Sequence, residues 1–307
     1  MSEKIVILGV FVADTAYRAE RAPRMGETIM GNSFALGPGG KGSNQAVAAS
    51  KAGGEVHFIS RLGRDPFADM ALKTWQDAGV IPEITQHDDS YTGAAYIFVE
   101  EASGDNAIII CPGVAGSISP DDIEARRDLI GGAAVFMTQL EQPMNAAMRG
   151  LEIARAAGAV TILNPAPAAA LPDGMLALCD YVTPNESEAE GLTGIRVETV
   201  EDGAKAAAAL LARGVGTAII TLGERGALFH DGAGPVHIPA FDAGPVHETT
   251  GAGDAFNGGF AAALARGAAP LDAVRFGSAT AAISVTRPGT APSMPDLAEI
   301  EQLLARA

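Results

Sequence analysis

The chain has 307 residues, 48% hydrophobic and 19% charged, with 37 glycines, which suits one large globular domain or two modest ones and excludes a disordered chain. A formal net charge of −16 argues against nucleic-acid backbones and anionic membrane surfaces as partners, because both require basic patches. The start Met1-Ser2-Glu3-Lys4 does not make a signal peptide and no apolar run has bilayer length, so a cytoplasmic location is expected.

In chain order, β-branched runs at 4–10, 56–60, 134–138, 160–163, 181–183 and 217–221 predict buried strands. Ala- and Leu-rich stretches at 43–53, 66–78, 120–130, 143–157, 185–192 and 200–213 predict helices between and after them. That alternation builds right-handed crossovers and a mostly parallel sheet covered on both faces, a three-layer α/β/α fold. Its ligands should gather at the carboxyl ends of the strands. Residues 1–307 read as one domain, without a composition break.

Two stretches, about 15–36 and 92–110, break the rhythm. The alternating Ala94-Ala95-Tyr96-Ile97-Phe98-Val99, a turn at Ser103-Gly104-Asp105-Asn106 and then Ala107-Ile108-Ile109-Ile110 predict a hairpin. A small inserted β-sheet of this kind serves as a lid, a dimer surface or both; extra edge strands have the same pattern. An apolar face assigned to Tyr96, Phe98, Ile108 and Ile110 is too large for a free flap and predicts a homodimer.

The glycine cluster Gly37-Pro38-Gly39-Gly40-Lys41-Gly42 is not a Walker A loop, since Ala35 stands at the first glycine position and Gly42 replaces the hydroxyl residue. A dinucleotide fingerprint after the first strand fails as well, because only Gly9 is present there. Close backbone approach at Gly39 and Gly40, with Lys41 and Asn44 on the next turn, fits hydrogen bonding to a polyol. A tight helix-entry turn accounts for the same glycines. Cys111 and Cys179 lie in no paired or metal-ligand spacing and read as small apolar side chains. The sequon Asn185-Glu186-Ser187 is fortuitous without secretion.

Thr249-Thr250-Gly251-Ala252-Gly253-Asp254 then runs into Phe256, Phe260, Ala261 and Leu264 at helical spacing. Gly251, Ala252 and Gly253 at a helix start would turn backbone N–H groups into an anion pocket, with Asp254 in the first turn. Phosphoryl transfer to an alcohol needs this pairing of amides for the moving charge with a carboxylate for the hydroxyl proton. An acidic residue complementing a helix dipole gives the same sequence.

These pieces, with Asn44-Gln45-Ala46, Gln139-Leu140-Glu141, Asn164-Pro165-Ala166-Pro167, Thr183-Pro184-Asn185-Glu186-Ser187-Glu188 and Thr221-Leu222-Gly223, occur in order over nearly the whole length. In them the chain resembles the ribokinase-like (PfkB) carbohydrate kinase family. The resemblance implies an ATP- and Mg2+-dependent sugar kinase, with D-ribose converted to D-ribose 5-phosphate as the leading reaction. Fructose, 2-keto-3-deoxygluconate or a nucleoside are the alternative substrates. A non-catalytic sugar- or nucleotide-binding protein is the other class, and it has no use for a base at the anion pocket.

By the same resemblance Asp254 is the catalytic base and Gly251, Ala252 and Gly253 form the anion hole. Val12, Asp14, Gly39, Gly40, Lys41, Asn44 and Glu141 surround the sugar, and Asn185, Thr221, Gly223, Gly226 and Gly253 line the nucleotide site. Glu188 organises hydrated Mg2+, although Glu186, Glu188 and Glu190 also read as a solvated acidic cluster. Glu248, Thr250, Ser284, Arg287, Gly289 and Ser293 hold K+, with Glu248 where the family usually has Asp. Val12 stands where ribose-binding members usually carry Asn. A strand end puts residues 12 and 14 on one face, and a sugar hydroxyl buried against valine would stay unpaired at about 1–3 kcal/mol. The substrate therefore lacks that hydroxyl, presents it elsewhere, or is not ribose.

Overall fold

The computed structural model describes residues 3–306; Met1, Ser2 and Ala307, which the one-domain reading includes, lie outside the described residues. The chain opens with β1 (Lys4–Leu8), then β2 (Val12–Ala19), β3 (Ser33–Gly39), α1 (Lys41–Lys51), β4 (Glu55–Leu62), α2 (Pro66–Ala78) and β5 (Ile81–Gln86). It continues with β6 (Thr92–Glu100), β7 (Asn106–Gly113), α3 (Pro120–Glu124), α4 (Arg127–Gly131), β8 (Val135–Thr138), α5 (Met144–Ala157) and β9 (Val160–Leu163). The last third holds β10 (Tyr181–Val182), α6 (Glu186–Thr193), α7 (Val200–Leu211), β11 (Thr217–Thr221), β12 (Ala227–His230), β13 (Pro235–Ile238), α8 (Ala252–Ala265), α9 (Pro270–Ser284) and α10 (Leu297–Leu304).

The main sheet runs β13-β12-β11-β10-β9-β8-β1-β4-β5, parallel except where β12 and β13 turn back at one edge. Alternation along β1 shows why it must be covered twice: Ile5 and Ile7 enter one core, Val6 and Leu8 the other. Ala46, Ala48 and Ala49 of α1, Phe256 and Phe260 of α8 and Val274 of α9 pack on the first face. Leu151 and Ala154 of α5 and Ala206 and Leu210 of α7 pack on the second. The expected three-layer architecture is thus present, and its strand order reverses at β1, between β4 and β8, where a crevice opens at the strand ends.

Several elements differ from the sequence expectation for local reasons. The helix expected at 120–130 is two pieces, because Arg126 turns its guanidinium onto the carbonyls of Asp122 and Glu83. Helix α1 begins at Lys41, before the expected 43, since Gly40 adopts φ 88° and starts it directly at the glycine cluster. Strands β5, β12 and β13 and helices α9 and α10 have no counterpart among the sequence expectations. Among the described residues no helix is long and apolar enough to cross a membrane.

The second sheet is real, with order β3-β2-β6-β7, and it starts where β1 leaves the main sheet. Its register corrects the face assigned from the sequence. Tyr96 opposes Ile109 and Phe98 opposes Ala107, whereas Ile108 opposes Ile97 and Ile110 opposes Ala95. Directly opposed residues share a face, so Tyr96 and Phe98 lie on one side and Ile108 and Ile110 on the other. Phe98 is buried besides. The side carrying Ile108 and Ile110 is the side of Asp14; the other presents the ring cluster Tyr17, Phe34 and Tyr96.

Candidate active site

Two glycines place β3 and the start of α1 against β2 and the turn before it. A Cβ on Gly39 would fall within 2.2–2.5 Å of the Asp14 carboxyl, and one on Gly40 would fall 2.5 Å from the Val10 carbonyl. Only bare backbone lets β3 and the start of α1 lie this close to β2. Asn44 follows one turn later, and the Lys41 N–H donates to Glu141 Oε2 at 2.8 Å, tying α1 to the loop after β8. Asp14, Gly39, Gly40, Lys41, Asn44 and Glu141 are therefore brought close together around Asp254. Val12 shares Asp14's face of β2 but is buried, wedged between Gly39 and Gly93 of the neighbouring strands.

Asp254 sits buried in the first turn of α8. Asn44 Nδ2 donates to its Oδ2 and Gln45 Nε2 to its Oδ1, both at 3.0 Å. Gly251, at φ 81°, caps the helix without a side-chain bond. One part of the expected anion hole differs: the Ala252 N–H is spent on the Thr249 carbonyl at 3.1 Å. The donors left open at this helix end are the amides of Gly253 and Asp254, and a side chain on Gly253 would meet open space. An unengaged helix N-terminus beside a buried carboxylate fits phosphate oxygens on one side and a hydroxyl proton on the other.

The electrostatics follow from burial of like charges. Burial lifts the Asp14 carboxyl to about 6, with the nearby Asp254 adding to it. Glu141 rises to about 7, again mainly by burial, against the pull of Lys41. Burial raises Asp254 also, opposed by Lys41 and by the hydrogen bonds from Asn44 and Gln45. Burial works against the Lys41 ammonium, but Asp254, Glu141 and Glu188 together outweigh it and hold it above its ordinary value.

Beyond Asp254 a polar cleft of about 150 Å3 is lined by Lys41, Asn164, Thr183, Asn185, Glu188, Thr221 and the 249–254 segment. Asn185 caps α6, accepting the Glu188 N–H while Glu188 Oε2 accepts the Asn185 N–H. This reciprocal cap orients Glu188 and leaves its second oxygen without a partner, enough for a magnesium ion that takes its other ligands from phosphates and water. Gly223 and Gly226 form the turn after β11, at φ 55° and 91°. Glu186, the solvated-cluster candidate, pairs with Arg225.

Of the residues expected around K+, Glu248 and Gly289 meet on the loop whose Thr290 lies at the Gly251 cap. Glu248 Oε2 accepts the Gly289 N–H at 2.9 Å, and Thr290 packs on Gly251. The hydroxyls of Ser284 and Ser293 donate to the Ala281 and Thr290 carbonyls, and Arg287 pairs with Glu299. Backbone carbonyls of this loop and the other Glu248 oxygen are what it offers a cation. A larger cavity, about 570 Å3, lies near Phe241, Arg275 and Glu299 and is lined by none of the expected site residues.

Sequence reasoning left out the residues under Asp254. Gln45, Gln139, Asn164, Thr183 and Asn257 are buried and joined by hydrogen bonds. A signal existed: Gln139, Asn164 and Thr183 each come directly after a buried strand, where an apolar residue would otherwise continue the core.

The family model for pfkB family carbohydrate kinases matches residues 2–297. The chain is 36% identical to a ribokinase of Haemophilus influenzae over 308 residues, covering 100% of both. It is 34% identical to a deoxyribokinase of Salmonella typhi over 303 residues, covering 98% of each. A solved structure of Arabidopsis thaliana ribokinase complexed with ribose and ATP superposes with a TM-score of 0.92 at 31% identity, covering 99% of each chain.

Proposed function

Because the chain belongs to the pfkB family of carbohydrate kinases, we propose that it transfers the γ-phosphoryl group of ATP to the primary hydroxyl of D-ribose, giving D-ribose 5-phosphate. The observation that carries this is Asp254, buried beside the open amides of Gly253 and Asp254 itself. Asp254 takes the proton of the sugar hydroxyl, and the helix end with Lys41 offsets the charge of the phosphoryl group in flight. Asp14, Gly39, Gly40, Lys41, Asn44 and Glu141 hold the sugar. Asn185, Thr221, Gly223 and Gly226 line the nucleotide side. Glu188 would hold Mg2+ through water, where the ion supplies charge neutralisation on the phosphates. The loop with Glu248, Thr250, Ser284, Arg287, Gly289 and Ser293 would hold K+ behind the Gly251 cap. Residues 1–307 act as one unit, since lid and main body share the pocket, and ATP use goes with a cytoplasmic location. ADP release over a panel of pentoses, hexoses, sugar acids and nucleosides tests the substrate; no release with any of them would overturn the kinase reading.

Val12 favours a second substrate reading, a pentose lacking one hydroxyl of ribose, in line with the deoxyribokinase relative. Val12→Asn then improves ribose phosphorylation by about 0.5–1.5 kcal/mol, a few-fold, through the added hydrogen bond. Relative kcat/KM across the sugar panel checks it. A variant with a lower melting temperature and an unchanged preference shows instead that Val12 only packs between its two glycine neighbours.

The raised carboxyls set a pH dependence. Sugar hydroxyls that donate to Asp14 and Glu141 need both ionised, so kcat/KM for the sugar climbs between about pH 6 and 7. A limb near pH 4 would contradict this. Stability of the ligand-free protein runs the other way. A carboxyl raised on folding contributes fully below its ordinary value near 4, and that contribution is lost as pH rises through about 6 for Asp14 and about 7 for Glu141.

The lid's outer side leads us to propose a homodimer through it, because Tyr17, Phe34 and Tyr96 stand together and exposed. Ile108 and Ile110, on the pocket side, are exposed as well. Sedimentation at micromolar concentration should give the mass of two chains; a single-chain mass overturns it.

A further inference from the structure

Beneath Asp254 the carboxamides form a chain whose direction is determined. Asn164 Nδ2 lies 3.0 Å from the Thr183 carbonyl oxygen. A backbone carbonyl only accepts, so Asn164 must turn its nitrogen there and its Oδ1 towards Gln45. Gln45 must then present Nε2, which reaches Asn164 Oδ1 and Asp254 Oδ1, both at 3.0 Å. Its Oε1 accepts from Gln139 Nε2 at 2.5 Å, which completes the chain on the other side. Gln45 has no solvent exposure, so water cannot substitute for any of these partners.

We propose that Gln45 is a positioning residue for Asp254, holding Oδ1 as an acceptor through a carboxamide chain whose polarity begins at the Thr183 carbonyl. This rests on Asp254 being the base. The consequence is chemical. A neutral N–H donor on Oδ1 favours the ionised carboxylate in a pocket where burial opposes it, while carrying no positive charge that would weaken it as a base. It also fixes the carboxylate plane, so the lone pairs not taken by Asn44 and Gln45 are the ones offered to the sugar hydroxyl. The chain reaches the nucleotide side too: Thr183 Oγ1 bonds Asn257 Oδ1 at 2.6 Å, and Asn257 Nδ2 donates to the Gly253 carbonyl at 2.8 Å, behind the open amides.

Gln45→Glu tests this with almost no change of shape. It replaces two N–H donors with a carboxyl that brings at most one proton, so Asp254 shares a site with a second acid. At neutral pH kcat falls by about 10- to 100-fold, the range of one hydrogen bond to a charged group. KM for sugar and ATP stays within about threefold, and the acid limb of kcat moves up by about one pH unit or more. Gln139→Met leaves Gln45 and its orientation in place but removes the donor to its Oε1, which loosens the chain and shifts the limb in the same direction by less. It decides the matter by the same criterion should Gln45→Glu not fold. An unmoved acid limb, or kcat and KM changing together with a lower melting temperature, overturns the proposal and makes Gln45 a packing residue. Asp254→Asn run in parallel separates the two claims: full turnover there removes the base itself, whereas lost turnover with an unmoved limb in Gln45→Glu removes only the relay.

Discussion

Asp254→Asn leaves the fold and ATP binding intact and lowers kcat by about 100- to 10,000-fold, the usual contribution of a general base. The variant should fold because the surrounding amides can adapt. Asparagine keeps an oxygen for Gln45 Nε2 and turns a nitrogen towards Asn44. Asn44 Oδ1 has no partner at present, so a flip of that side chain lets it accept from the new amide. What the variant cannot do is take the hydroxyl proton. Single-turnover phosphorylation together with calorimetric titration of a nucleotide measures both halves, and turnover close to that of the unaltered protein would remove Asp254 from the mechanism.

Trp75→Ala has the largest expected effect on stability, about 3–5 kcal/mol, with little on chemistry. Trp75 is the one tryptophan of the chain and fully buried. Its ring meets Phe58 edge-on at 5.1 Å and Phe11 at 5.9 Å, and Nε1 donates to Ser43 Oγ at 2.9 Å. Removing it leaves a cavity between α2, β1's following loop and α1, and strands the Ser43 hydroxyl. For a chain of this size the melting temperature drops by about 5–8 °C. Turnover per folded molecule stays within about threefold, since Trp75 touches no group of the pocket. A drop under about 3 °C would mean that the helices close over the gap.

The alternating strands and helices were legible because periodicity, caps and glycine turns are local properties of a few residues. The glycine cluster before Lys41 and the segment around Asp254 could each be read as a helix start for the same reason. The family resemblance then joined them into one site, which composition and spacing do not do. Strands β12 and β13 left no comparable mark, because β13 exposes Pro235, Val236 and His237 and so carries no buried apolar run. The same holds for the split between α3 and α4, which depends on where one arginine side chain finds carbonyls.

By itself, then, the sequence determined the layered α/β fold and the inserted sheet, and it marked the helix start that carries Asp254. It did so because burial on two faces, an open helix end and a carboxylate in the first turn are each encoded by residues near one another in the chain. The tertiary structure alone decided which side of the lid each apolar residue takes, since a shift of one residue in strand pairing exchanges the two faces. It also decided which amide of the anion hole stays open, as the Ala252 N–H turns back onto Thr249. The last such decision lies under Asp254, where Gln45 reaches it across 209 residues of chain. No local pattern announces which end of a buried glutamine will face the carboxylate; the direction comes from the Thr183 backbone carbonyl just past β10, reached through the Asn164 side chain.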